Sequence, residues 1–204
     1  STLSSIILIP IALFFIIKGT ILFNFFLATC LFITIYEWHM MSKKKSYRIF
    51  GFIFLIFSFF TIFKLRININ DDYWFLLLIT IVCVSTDIGG YVFGKMFKGP
   101  KLTGLSPNKT YAGTIGGFLL SIIATSIFIN YTLGADLSIS WLIFVILVSS
   151  ISQLGDITIS YFKRLSKIKD TGKIIPGHGG LLDRIDGMIF AFPFSYIILL
   201  TGLI

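Results

Sequence analysis

The chain has 204 residues, 56% of them apolar and only 13% charged, against about 25% charged in soluble domains, which excludes a water-soluble globule. At about 20 apolar residues per crossing helix, it holds material for five to seven spans and no separate soluble domain, so an all-α, polytopic transmembrane bundle is expected. The net charge of +8 is first a topology signal, with no nucleic-acid partner implied, and Cys30 and Cys83 sit singly in apolar runs without disulfide or zinc spacing.

Long apolar runs place spans at 3–17, 20–37, 47–63, 73–94, 111–133, 138–160 and 187–204. Their lengths suit crossing with modest tilt. The first is expected to be a crossing helix rather than a signal peptide, since a basic start and a small-residue cleavage site are lacking. Short connections require alternation. With the 42–48 loop on the cytoplasmic side, that side gathers Lys43, Lys44, Lys45, Arg48, Lys95, Lys98, Lys101, Lys109, Lys163, Arg164, Lys167, Lys169, Lys173 and Arg184, leaving only Lys18, Lys64 and Arg66 of the 17 basic residues opposite. The positive-inside asymmetry therefore sets the orientation, with the N-terminus inside. The expected organisation is N-terminal transmembrane helices over 1–70 and a second transmembrane region over 71–204, with cytoplasmic loops at 95–110 and 163–186.

Acids inside apolar runs are functional hypotheses by default. Asp87 precedes Lys95 by eight residues and Asp156 precedes Lys163 by seven, so both lie about 10–12 Å beneath the basic face at 1.5 Å per residue. Asp183 and Asp186, three apart, fall on one helical face at the mouth of the last span. Two such carboxylates repel unless a cation is shared, and hard oxygen donors beside phosphates favour Mg²⁺. The alternative is an ordinary ion pair of Asp183 with Arg184 or a lysine.

Residues 160–187 add six basic side chains and a glycine-rich turn around His178. Gly177, Gly179 and Gly180 allow amide N–H groups to face an anion, while Lys163, Arg164, Lys169 and Arg184 supply charge. A second basic loop runs through Ser106-Pro107-Asn108-Lys109-Thr110 into the 111–133 span. Ser106, Lys109 and Thr110 either bind phosphate at that helix start or merely cap it. Gly89, Gly90 and Gly94 suit close helix packing, and His39, beside Glu37 and Trp38, suits the interface.

These segments together resemble the phosphatidate cytidylyltransferase, or CDP-diacylglycerol synthase, family. The signature reads Ser160-x-x-Lys163-Arg164, Lys169-Asp170, Gly172, Pro176-Gly177-His178-Gly179-Gly180 and Asp183-Arg184-x-Asp186, preceded by Gln153-x-Gly155-Asp156 and the Ser106-Pro107-x-Lys109-Thr110 loop, and more loosely by Asp87-x-x-x-Tyr91 and Glu37-Trp38. One departure is Tyr111-Ala112-Gly113, where many members carry Trp-Glu-Gly.

The resemblance implies cytidylyl transfer from CTP to phosphatidic acid in phospholipid biosynthesis, at the cytoplasmic boundary of a bacterial-type inner membrane. It implies catalytic roles for Asp156, Asp183, Asp186, Lys163 and Arg164. Asp156, Asp183 and Asp186 are the implied ligands of Mg²⁺, with a second cation of unspecified identity. Substrate contacts fall to Asp87, Ser106, Lys109, Thr110, Ser160, Lys169, Asp170, Gly177, His178, Gly179, Gly180 and Arg184. CTP, phosphatidic acid and the bilayer are the implied partners, and a homodimer is left open. The alternatives are a CTP-dependent lipid kinase or an archaeol-type cytidylyltransferase of the same superfamily and, in another class, an ion-coupled transporter, which expects its acids nearer mid-membrane.

Overall fold

A computed structural model describes residues 10, 12–67, 73–104, 106, 109–172 and 179–202. Among them the chain is helical, without strands. Residues 12–18 form α1, followed by α2 (Thr20–Met41), α3 (Arg48–Ile67), α4 (Trp74–Phe97), α5 (Tyr111–Leu133), α6 (Ile139–Leu165), α7 (Leu182–Ile185) and α8 (Met188–Leu200). Helices α2 to α6 are each long and apolar enough to cross a membrane, and the chain is a multi-pass integral membrane protein.

The last expected span, 187–204, differs. Its helix α8 has 13 residues, about 20 Å at 1.5 Å per residue against a hydrocarbon core of about 30 Å. Helix α7 ends at Ile185 and α8 begins at Met188, with Asp186 and Gly187 between them in right-handed helical dihedrals, so an acid stands at a helix junction instead of at the start of a long helix. Residues 203–204 and most of the first expected span lie outside the described residues. Helix α2 continues through Glu37, Trp38 and His39 to Met41, and α6 continues through Lys163 and Arg164, so these polar residues are held on helical turns.

Helix α4 is the centre of the bundle. Leu78, Ile79, Val82 and Cys83 are completely buried, as are Val145 and Val148 of α6 and Ala191 of α8. Phe25, Phe32, Phe50 and many other large apolar side chains point outward, where lipid accepts them at no hydrophobic cost. Two buried hydroxyls join neighbouring helices: Ser58 donates to the Ile189 carbonyl at 2.7 Å and Thr86 shares a hydrogen bond with Ser149 at 2.8 Å.

Helices α4 and α5 meet along glycines. A Cβ on Gly113 would stand 2.6 Å from the Gly90 carbonyl oxygen, so only glycine permits this approach. The start of α5 is fixed by Thr110, whose hydroxyl accepts the Gly113 N–H at 3.1 Å, an N-cap. Just before this cap, Lys109 reaches across to Gln153 and Asp156 of α6.

Candidate active site

Two glycines bring two acids together. Gly155 of α6 faces the turn before α8 so closely that a Cβ there would lie 2.6 Å from Phe190 Cδ2 and 3.0 Å from the Asp186 carbonyl oxygen. Gly187, on the other side, would meet the Ser152 carbonyl oxygen at 2.8 Å. The residues adjoining these glycines are Asp156 and Asp186, whose carboxyls are electrostatic neighbours. Asp186 is buried and also accepts the Gly187 N–H at 2.9 Å. Burial, then the neighbouring carboxylates of Asp156 and Asp87, push the Asp186 carboxyl well above the usual carboxylate range. Such a pair requires a proton or a cation between its oxygens.

Asp156 has further partners. The Lys109 ammonium lies 2.5 Å from its Oδ2 and also donates to the Gln153 carbonyl at 3.4 Å. The Ser160 hydroxyl donates to Oδ1 at 3.4 Å. The loop before α5 and the last turns of α6 are thus joined through one carboxylate.

Asp183 is held by donors of its own. Its Oδ1 accepts from Lys163 at 2.9 Å, and its Oδ2 accepts the backbone N–H groups of Thr171 at 2.8 Å and Gly180 at 2.9 Å. Burial alone would raise this carboxyl, but the Gly180 amide, the Lys163 ammonium and the Thr171 amide outweigh it and hold Asp183 below its ordinary value. Asp183 and Asp186 thus have different surroundings: Asp183 is satisfied by these donors, whereas Asp186 lies beside Asp156 and Asp87. Among the described residues, no three His, Cys, Asp or Glu side chains form a metal-ligating group; Asp156, Asp183 and Asp186 nevertheless all line one cavity.

A residue given no site role in the sequence organises that loop. Glu37 of α2 is 1% exposed, and its carboxylate accepts the Leu181 N–H at 2.9 Å, the Leu182 N–H at 2.8 Å and the Thr171 hydroxyl at 3.2 Å. These amides open α7 and lack helical acceptors of their own. A Cβ on Gly172 would stand 2.7 Å from Glu37 Oε1, which is why the loop can fold around a buried carboxylate only with glycine there. Next to it, the Trp38 indole donates to the Arg48 carbonyl at 3.0 Å and packs on Tyr47 and Phe162. His39 meets Arg48 at 2.6 Å. The available signal was an acid at the tail of an apolar run.

The cavity has a volume of about 600 Å³. Its polar end carries Asp87, Ser106, Asp156, Ser160, Lys163, Arg164, Lys169, Asp170, Asp183, Arg184 and Asp186. Its apolar walls come from α1 (Leu13, Ile16), α2 (Phe23, Phe26, Leu27), α3 (Phe59, Ile62) and α8 (Met188, Ile189, Phe192). Of the other expected residues, Thr110 acts as the α5 cap and Gly180 donates to Asp183. Gly179 adopts φ 86°, beside the Asp183 carboxylate. Gly177 and His178 lie outside the described residues.

Comparison with known proteins accords with this geometry. Residues 45–201 match the model of the cytidylyltransferase family. The chain is 41% identical over 137 residues to a phosphatidate cytidylyltransferase of Bacillus subtilis, covering 64% of this chain and 50% of the relative. It is 43% identical over 126 residues to one of Haemophilus influenzae, covering 59% and 44%, and 38% identical over 135 residues to one of Staphylococcus saprophyticus, covering 64% and 51%. The chain thus spans about half the length of the curated relatives it matches. The matched stretch contains the 98–110 connection, the Asp156–Asp186 junction and the Asp183 loop, and the chain belongs to the cytidylyltransferase family.

Proposed function

We propose that this protein transfers a cytidylyl group from CTP to phosphatidic acid, giving CDP-diacylglycerol and pyrophosphate at the cytoplasmic boundary of the membrane. The observation that carries this reading is the gradient along the 600 Å³ cavity, apolar between α1, α2, α3 and α8 and basic-acidic at Lys163, Arg164, Lys169, Arg184, Asp156 and Asp186. A diacyl lipid with a phosphate headgroup suits such a space, whereas a soluble substrate needs no apolar arm. The names of the relatives and the concentration of basic residues on the loops of one side support the same reaction and orientation.

In that reaction an oxygen of the lipid phosphate bonds to the α-phosphorus of CTP, and the bond from that phosphorus to the bridging oxygen breaks, so pyrophosphate leaves with the electron pair. Both substrates are polyanions, so the barrier is largely electrostatic. Lys163, Arg164 and Lys169 bind phosphate oxygens and stabilise the leaving pyrophosphate. Asp183 keeps the Lys163 ammonium at the cavity wall. Ser106, Lys109 and Thr110 close the nucleotide side. A phosphate monoester is already ionised near neutral pH, its second pKa being about 6, so no side chain needs to act as general base.

Asp156 and Asp186 fit a hard divalent cation: their carboxyls are neighbouring charges, and one is buried. We assign Mg²⁺ to this pair, where it would neutralise phosphate charge, and assign Asp183 to supporting the loop.

The test is to incubate the purified chain in detergent with CTP, phosphatidic acid and Mg²⁺. Pyrophosphate and CDP-diacylglycerol are expected in equal amounts; pyrophosphate without a CDP-lipid overturns the assignment.

A further inference from the structure

A second cavity, of about 290 Å³, opens between α4, α5 and α6. It shares Asp87, Ser106 and Asp156 with the larger one, and the Lys109–Asp156 ion pair stands at their junction. Its charged groups are two carboxylates, Asp87 and Asp156, and one ammonium, Lys109, already paired with Asp156. Such a lining repels phosphate and selects a neutral ligand that offers hydrogen-bond donors. The size is near the lower limit of ligand pockets, about 300 Å³. Gly90 lines one wall, where even a Cβ would meet only the Gly113 carbonyl oxygen, at 3.7 Å, so backbone stands in place of side-chain bulk where a flat ring can lie.

Two polar side chains on this lining complement one nucleobase edge. Asp87 is open to the cavity, and its carboxylate is acceptor-only when ionised. Gln153 makes one long side-chain hydrogen bond among the described residues, Nε2 to Ser149 Oγ at 3.5 Å, leaving an amide hydrogen for a ligand. Cytosine presents an exocyclic amine donor beside ring N3 and O2 acceptors, and carboxylates characteristically accept from that amine. Uracil presents a carbonyl in the same place, which would face Asp87 unpaired.

Building on the CTP reading above, we propose that this second cavity binds the cytidine end of the nucleotide, with Asp87 accepting from the cytosine amine and Gln153 donating to its N3–O2 edge. The triphosphate then crosses the junction at Asp156, where its α-phosphorus meets the lipid phosphate and its distal phosphates lie toward Lys163, Arg164 and Lys169. Asp87 and Gln153 are specificity-determining residues, and their removal shifts discrimination between bases as well as affinity.

The experiment is equilibrium binding of CTP and of UTP, with Mg²⁺ and without lipid, to the full chain in detergent and to its D87N and Q153A variants. The wild type is expected to bind CTP at least about tenfold more tightly than UTP, the range of one good bidentate base contact, and each variant to reduce that ratio severalfold. If either variant fails to fold, the other still decides the question. Folded variants that keep the wild-type ratio, or a wild type that binds both nucleotides equally, overturn the cytosine assignment while leaving the transfer reaction intact. A wild type that binds neither nucleotide overturns both.

Discussion

Glu37 accepts the backbone N–H of Leu182 at 2.8 Å across 145 positions of sequence, so the entry of the chain into α7 is fixed by an acid near the end of the second helix. The same carboxylate holds Leu181 and Thr171, and those contacts frame the strip that carries Asp183. In Glu37→Gln one oxygen becomes an amide that faces an N–H donor, leaving at least one buried donor unpaired at about 1–3 kcal/mol. The expected outcome is a melting temperature lower by about 2–8 °C, together with a severalfold fall in turnover. Glu37→Ala should cost more on both measures, as seen by thermal unfolding in detergent and product formation.

Asp183 makes the acid stability of this loop measurable. Its carboxyl is held below its ordinary value, so its contribution is fully present above the unfolded carboxylate pKa, about 3.9, and is lost as pH falls through the lower folded value. The wild type should therefore lose melting temperature as pH drops from about 5 toward about 2. Asp183→Asn should start lower and show a shallower dependence over that window. Equal slopes would contradict the hydrogen-bonded carboxylate.

The approach of α6 to the α7–α8 junction depends on Gly155. A side chain there overlaps Phe190 and the Asp186 backbone, and overpacking of this kind costs about 1–3 kcal/mol. Gly155→Val is expected to separate Asp156 from Asp186 and reduce turnover by at least about tenfold, while Lys101→Ala, at an exposed position on the 98–110 connection, should leave it within about twofold. Comparing the two in one assay separates a site effect from a general loss of folded protein.

The paired carboxylates give a direct metal prediction. Asp186→Asn and Asp156→Asn should each weaken Mn²⁺ binding, followed by its paramagnetic resonance signal, by at least about tenfold, and abolish turnover in Mg²⁺. Asp183→Asn should retain Mn²⁺ binding. Loss of Mn²⁺ only in the Asp183 variant would transfer the ion to that residue.

The bundle was legible in the sequence because apolar runs of crossing length have one solution in lipid, and the five long helices among the described residues fall on expected spans. The α7–α8 break was not, since Asp186-Gly187 interrupts the helix without a proline at that point, and hydropathy averages over such a turn. Asp156 and Asp186 were legible as intramembrane acids, but the partners of Asp183 were not: they are the Lys163 ammonium and the backbone amides of Thr171 and Gly180, which the i, i+3 spacing does not report. Glu37 was hidden by sequence distance, because its partners are backbone amides of a loop more than a hundred residues away, which no local pattern records.

The most direct measurement follows two labels through the reaction of the purified chain with phosphatidic acid and Mg²⁺, one on the α-phosphate of CTP and one on the γ-phosphate. Label from the α-position is expected in the lipid product, and label from the γ-position only in pyrophosphate. Lipid labelled from the γ-position would mean phosphoryl rather than cytidylyl transfer and would contradict the reaction assigned to this cavity.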